Sequence, residues 1–180
     1  WDIFISRPDG SERRLFTDTP DYEEAAPRFS PDGSQILYRR LAKGTTINHD
    51  QWGFQGEPVI AKSDGSRSEV IGSEGDYPWA TWSPDGSGIA CLTIKGIQLV
   101  DLVNRQVLKQ IPRQGIYQQL AWSPDGKWFC GTANYKGEYW TVVRMSIESS
   151  EINALRSFQN CTPDWYPDSN HVILSSRPAG

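Results

Sequence analysis

Four carboxylates at regular spacing are the first residues that could do chemistry. Asp32, Asp85, Asp125 and Asp168 each follow a proline, within Phe29-Ser30-Pro31-Asp32-Gly33, Trp82-Ser83-Pro84-Asp85-Gly86, Trp122-Ser123-Pro124-Asp125-Gly126 and the degenerate Trp165-Tyr166-Pro167-Asp168-Ser169. Brought together, they could ring a calcium ion or act as a catalytic acid and base on a glycosidic bond. Their identical setting argues for a local task instead. Pro presets φ at the first central turn position, Asp bonds its own nearby backbone and Gly permits positive φ. All four are therefore expected to be structural turn residues that do not converge on one substrate.

The other reactive side chains are few. His49 and His171 are the two imidazoles of the chain, and there is no Gly-x-Ser-x-Gly nucleophile elbow. Cys91, Cys130 and Cys161 show neither paired Cys-x-x-Cys spacing nor a dense disulfide framework, and are expected to be small buried apolar residues. No catalytic residue, metal-ligand set or cofactor motif is assigned. The segment from Leu41 to Glu57 is the most individual, with Asn48, His49, Asp50, Gln51, Trp52 and Phe54. On one reading His49 and Asp50 supply hydrogen bonds or a metal contact, while Trp52 and Phe54 give an apolar or sugar-stacking surface. On the other, the loop folds back over the core and His49 is solvated; one His beside one Asp is short of a metal site.

These residues must be positioned by a repeated element. The Pro-Asp turns recur at intervals of 53, 40 and 43 residues; the last two match the roughly 40 to 45 residues of a four-stranded propeller blade, and the first carries an insertion. After each turn comes a strand-like apolar run: Gln35–Tyr38, Gly88–Leu92, Trp128–Cys130 and His171–Leu174. Third strands are expected at Pro58–Ala61, Gly96–Val100 and Tyr139–Val143, and fourth strands at Ser68–Ile71, Gln106–Leu108 and Ile152–Leu155. Trp1–Ser6 and Arg13–Phe16 read as a third and fourth strand alone. The fold expected is an all-β propeller of three complete blades (residues 21–72, 73–112 and 113–156) and two half-blades (1–20 and 157–180). It is the equivalent of four blades, or a segment of a larger ring. The half-blades could close within one chain, or copies of the chain could complete each other.

Composition agrees. With 37% hydrophobic residues, eight Trp, seven Tyr and six Phe, the chain has enough apolar surface for a core, and its dispersed 16 Gly and 12 Pro suit many short strands. A net charge of -4 without a Lys/Arg run argues against a nucleic-acid partner. No apolar run is long enough to span a bilayer as a helix, and no signal segment is read at the N-terminus, so a soluble chain is expected.

The Pro-Asp turns, together with Asp2-Ile3-Phe4-Ile5 and Asp9-Gly10-Ser11-Glu12-Arg13-Arg14-Leu15, resemble the TolB-type, WD-repeat-like propeller family over nearly the whole chain. The resemblance implies one of three settings: a periplasmic envelope component, a propeller fused to a prolyl-oligopeptidase-type hydrolase, or an oligogalacturonate lyase-like enzyme. The lyases of this architecture are rich in central histidines, which this chain lacks. It therefore implies a noncatalytic scaffold or recognition module for a protein or peptide, with a periplasmic or extracytoplasmic location. The alternatives are an accessory propeller of a hydrolase or lyase, and a small-ligand or cation binder using a central channel.

In such a fold the Pro-Asp and Asp-Gly turns share one face, and the longer, varied loops the other, where recognition is expected. There Tyr22, Glu23, Glu24, Asp76, Tyr77, Trp79, Tyr117, Tyr135 and Trp140 form a second constellation, of which Tyr77, Tyr117 and Tyr135 join His49, Asp50, Trp52 and Phe54 as candidate binding residues. The alternative is that these aromatics pack between blades, as is expected of Trp82, Trp122 and Trp165. Asn160-Cys161-Thr162 is formally a glycosylation sequon.

Overall fold

A computed structural model describes residues 1–45, 56–72, 79–156 and 160–176. Every regular element in it is a β-strand. In chain order these are β1 (Phe4–Ile5), β2 (Arg14–Leu15), β3 (Tyr22–Phe29), β4 (Gln35–Ala42), β5 (Glu57–Lys62), β6 (Ser68–Val70), β7 (Trp79–Trp82) and β8 (Gly88–Thr93). There follow β9 (Gly96–Asp101), β10 (Val107–Ile111), β11 (Ile116–Trp122), β12 (Trp128–Tyr135), β13 (Glu138–Ser146), β14 (Ile152–Arg156), β15 (Asn160–Trp165) and β16 (Val172–Ser176). Three antiparallel meanders, β3–β6, β7–β10 and β11–β14, are the three expected blades, and the pairs β1–β2 and β15–β16 are the two half-blades.

The chain divides into two compact units, Trp1–Pro78 and Trp79–Gly180. In the first, Ile3, Ile36, Tyr38, Val59 and Ala61 form the core, with Phe16 edge-on to Tyr38 at 6.4 Å. They come from alternate positions of neighbouring strands, as the two-residue period of a strand requires. In the second unit Leu92, Ile97, Phe129, Val142, Val143 and Met145 are fully buried. Gly131 has no side chain because a Cβ there would lie 2.8 Å from Ile116 Cγ2.

The Pro-Asp turns have one construction. Ser30, Ser83 and Ser123 are buried, and each hydroxyl donates to the Asp two residues on, at 2.6 Å in all three. The same oxygen accepts the backbone N–H of the residue that starts the next strand: Gln35 at 2.9 Å, Gly88 at 3.0 Å and Trp128 at 2.9 Å. The carboxylate accepts the backbone N–H of Ser34, Ser87 or Lys127. These bonds to the charged form hold the carboxyls below their usual range, led by the serine hydroxyl; Asp32 falls to about 2. In the fourth copy Tyr166 stands where the serine would be, and His171 Nδ1 lies 2.6 Å from Asp168 Oδ2 instead.

Each meander ties its first and third turns together, through Ser63 N to Ser34 O (2.9 Å), Leu102 N to Ser87 O (3.2 Å) and Ile147 N to Lys127 O (3.0 Å). The Pro-Asp turn and the third-to-fourth-strand turn of a sheet therefore share one end, and the second-to-third-strand connection lies at the other.

A second repeated device lies within the first strands. Ala26, Gln119 and Thr162, each three residues before the aromatic that ends the first strand, have φ of 55°, 59° and 51°. Each sits in a register break of its strand pair, a β-bulge. Pro27 and Pro163 follow two of them, at a bulge where no ladder N–H is needed.

The strand-end aromatics do not share one environment. Trp82 is buried, Trp122 and Trp165 are half-buried, and Phe29 is 57% exposed. Burial follows the neighbours available. Trp165 donates its indole N–H to Ala121 O of the preceding sheet at 3.3 Å, whereas the sheet preceding Phe29 consists of β1 and β2 alone. Cys91 and Cys130 are buried as expected, and burial pushes the Cys91 thiol up; Cys161, on the two-stranded β15–β16 sheet, is half-buried.

Candidate functional site

Of the candidate binding residues, His49, Asp50, Trp52, Phe54 and Tyr77 lie outside the described residues. Tyr117 and Tyr135 lie in the second unit, at the end of the β11–β14 sheet opposite its Pro-Asp turn. Tyr117 follows the first residue of β11 and Tyr135 closes β12; with Ile116 paired to Ala133, both lie at the same end of the β11–β12 pair.

The hairpin between β12 and β13 turns through Lys136 and Gly137, with φ of 51° and 84° between the paired residues Tyr135 and Glu138. Two consecutive positive φ values are those of a type I′ turn, whose twist matches that of the flanking strands. Lys136 Nζ lies 5.2 Å from the centroid of the Tyr135 ring, within cation–π range. The ladder breaks next to the turn, between Ala133↔Thr141 and Tyr135↔Glu138. Trp140, in the break, has φ of 59°. A bulky residue held there costs on the order of 1 to 3 kcal/mol, and such bulges re-aim side chains.

Trp140 is aimed at Tyr117. Their rings meet edge to face, 6.3 Å apart at 83°, and the Trp140 backbone N–H donates to the Tyr117 hydroxyl at 3.3 Å. Tyr117, Tyr135 and Trp140 are all half-buried. Gly115 closes the arrangement: it has φ of 86°, and a Cβ there would lie 2.2 Å from Asn134 O. Only glycine lets the chain leading into β11 approach the β12–β13 hairpin this closely. The result is a fixed aromatic pair, Tyr117 and Trp140, and at the neighbouring hairpin tip Tyr135 with Lys136 over its ring, groups that can stack on or cover an apolar or aromatic side chain. Sequence reading named each aromatic but had no signal for the strained bulge that joins Tyr117 to Trp140.

In the first unit, Tyr22, Glu23 and Glu24 open β3. The Arg40 guanidinium stacks over the Tyr22 ring at 4.1 Å and pairs with Glu57 at 2.7 Å. Glu23 pairs with the amino group of Trp1, and Glu24, 2% exposed, accepts the Thr19 hydroxyl. Trp79 in the second unit is buried.

Among the described residues no group of three or more His, Cys, Asp or Glu side chains could hold a metal ion. Asn160 of the sequon is 1% exposed, and its Oδ1 accepts Val142 N at 2.6 Å, so its amide is not presented to a modifying enzyme. Among the described residues no helix is long and apolar enough to cross a membrane.

No family model matches the sequence. The chain is 26% identical over 133 residues to the uncharacterized peptidase YuxL of Bacillus subtilis (strain 168), which covers 73% of this chain and 18% of that protein. It superposes on TolB from Acinetobacter baumannii with a TM-score of 0.79 at 23% identity, over 99% of this chain and 44% of the other. On oligogalacturonate lyase from Vibrio parahaemolyticus the TM-score is 0.63 at 14% identity, over 97% of this chain and 52% of the other. The chain thus spans about half or less of each of these three proteins. With its meanders of Pro-Asp turns and that superposition, the chain has the fold of a TolB-type β-propeller.

Proposed function

We propose that this chain is a noncatalytic recognition module, a propeller surface that binds a protein or peptide segment at the end of the sheets opposite the Pro-Asp turns. The observation that carries the reading is Trp140, held in left-handed conformation in a bulge and packed edge-on against Tyr117. Backbone strain kept to hold a half-exposed aromatic in place serves presentation better than packing. Tyr135 and Lys136 stand at the neighbouring hairpin tip. We retain His49, Asp50, Trp52, Phe54 and Tyr77 as candidate binding residues on sequence grounds, and assign to Asp32, Asp85, Asp125 and Asp168 the structural role of turn residues. By resemblance to TolB, the setting proposed is periplasmic.

The test is selection of binders from a displayed peptide library on the folded chain, followed by Tyr135→Ala and Tyr117→Phe. Selected peptides should lose about tenfold or more in affinity with Tyr135→Ala, as interface aromatics do. Peptides that bind both variants as tightly as the parent would place recognition elsewhere.

A second reading rests on the similarity to the peptidase YuxL, in which this segment would be part of a propeller that controls substrate access. Peptidase activity in a longer product of the same gene, lost on deleting residues 1–180, would favour it.

A further inference from the structure

The end of the second unit that bears Tyr117 and Trp140 also gathers positive charge. Three connections meet there: the β8–β9 tip Ile94-Lys95, the β10–β11 segment Pro112-Arg113-Gln114-Gly115, and the β12–β13 tip Lys136-Gly137. Two close backbone approaches hold them side by side. A Cβ on Gly96 would lie 2.5 Å from Ile111 O, and Asn134 N donates to Gly115 O at 3.0 Å. The segment from Ile111 to Gly115 therefore touches both hairpins. The β8–β9 tip is fixed by bonds of its own. Thr93 Oγ1, on a side chain 3% exposed, accepts Lys95 N at 3.1 Å and donates to Gly96 O at 3.0 Å, and Gln110 Nε2 donates to Lys95 O at 3.2 Å.

The two ends of these sheets differ in sign. At the Pro-Asp end, the turns of β7–β10 and β11–β14 carry Asp85, Asp101, Asp125, Glu148 and Glu151 against Arg105 and Lys127. The other end carries Lys95, Arg113 and Lys136 against Glu138, although the chain as a whole has a net charge of -4. Turn chemistry does not account for Lys136, which has φ of 51° at a position that favours Asn, Asp or Gly. Each lysine also has an apolar neighbour: Ile94, 65% exposed, precedes Lys95, and the Tyr135 ring lies under Lys136.

Building on the recognition-module reading, we propose that this end of the second unit binds an acidic peptide segment. Its Asp or Glu side chains pair with Lys95 and Lys136, in a positive field to which Arg113 adds, and an apolar or aromatic side chain of the segment rests against Ile94 or Tyr135. Charge complementarity selects the partner: a segment of the same sign as these lysines is repelled, and an acidic one is steered to this end and away from the carboxylates at the other. A phosphate backbone fits less well. It calls for a larger basic patch or stripe, and it has no use for apolar groups set beside each cation.

The experiment selects a displayed library of random peptides on the folded chain and measures the enriched sequences, as synthetic peptides, by fluorescence anisotropy at low and high salt. Enriched peptides should carry more Asp and Glu than the unselected library and should weaken as salt rises. They should lose at least about tenfold in affinity for the Lys95→Glu/Lys136→Glu double variant and stay within about twofold for Lys95→Arg/Lys136→Arg. The arginine pair keeps the charge at the same turn positions, and so separates loss of charge from loss of fold. Peptides that respond to Tyr135→Ala but show no excess of Asp or Glu, or that bind the charge-reversed variant as tightly as the parent, overturn the acidic partner and leave the recognition module standing. Peptides indifferent both to Tyr135→Ala and to the charge reversal, or a library without binders, overturn both. A single-stranded oligothymidylate that binds as tightly as the best acidic peptide would make this end a general polyanion surface, which is equally fatal to the proposal.

Discussion

Replacing Ser123 by alanine should destabilise the protein by about 2 to 3 kcal/mol at neutral pH. The hydroxyl it removes is buried, donates to Asp125 Oδ1 at 2.6 Å and accepts Trp128 N at 2.9 Å. A neutral hydrogen bond contributes about 1 kcal/mol and one to a charged group about 1.5 to 3 kcal/mol. Because Asp125 is exposed, solvent screening keeps its share at the low end. The perturbation also carries a pH signature. The Ser123 hydroxyl is the main reason that the Asp125 carboxyl titrates below its ordinary 3.8. A depressed folded-state value means the contribution is complete above the unfolded pKa and is lost as pH falls through the folded one. The gap between parent and Ser123→Ala should therefore be widest at neutral pH and contract in acid below about pH 4. Urea unfolding at pH 7 and near pH 3, with unchanged slope, measures both. A difference under about 0.5 kcal/mol at pH 7, or one that does not contract in acid, would refute the assignment of this hydroxyl as the hub of the turn.

Phe129→Ala, which empties a fully buried site, should cost about 3 to 5 kcal/mol, whereas Phe29→Ala, at a 57% exposed ring, should stay near or below 1 kcal/mol; urea midpoints rank them. A carboxyl-detected NMR titration should find Asp32 near pH 2, moving up towards 3.8 in Ser30→Ala, with its stabilising contribution complete above the unfolded pKa and lost towards pH 2. An Asp32 midpoint unmoved by Ser30→Ala would remove the hydroxyl as its cause.

The strands and turns were legible because their determinants are local. Within Ser-Pro-Asp-Gly and the two residues after it lie the fixed φ, the hydroxyl, the carboxylate and the first N–H of the next strand, so every bond of the turn closes within five residues. The half-blades were readable for the same reason, since Asp9-Gly10 repeats the turn chemistry of Asp64-Gly65.

The site was legible as a set of residue types and no further. Tyr117 and Trp140 meet across 23 positions, through a bulge with a left-handed tryptophan, and a bulge leaves no mark on the alternation of polar and apolar residues. At Ala26 and Thr162 the following prolines were a usable signal, since Pro inside a strand points to an edge or a bulge. Gln119, with the same φ, has no such neighbour.

What the sequence by itself determined, then, is the repeat, its reversals and which residues face inward along each strand, all set by chemistry between near neighbours. Tertiary structure alone decided how deeply equivalent residues are buried and which aromatics meet. Phe29, Trp82, Trp122 and Trp165 hold the same place in the repeat, yet range from exposed to buried, because burial depends on the sheet that stands alongside and not on the segment itself.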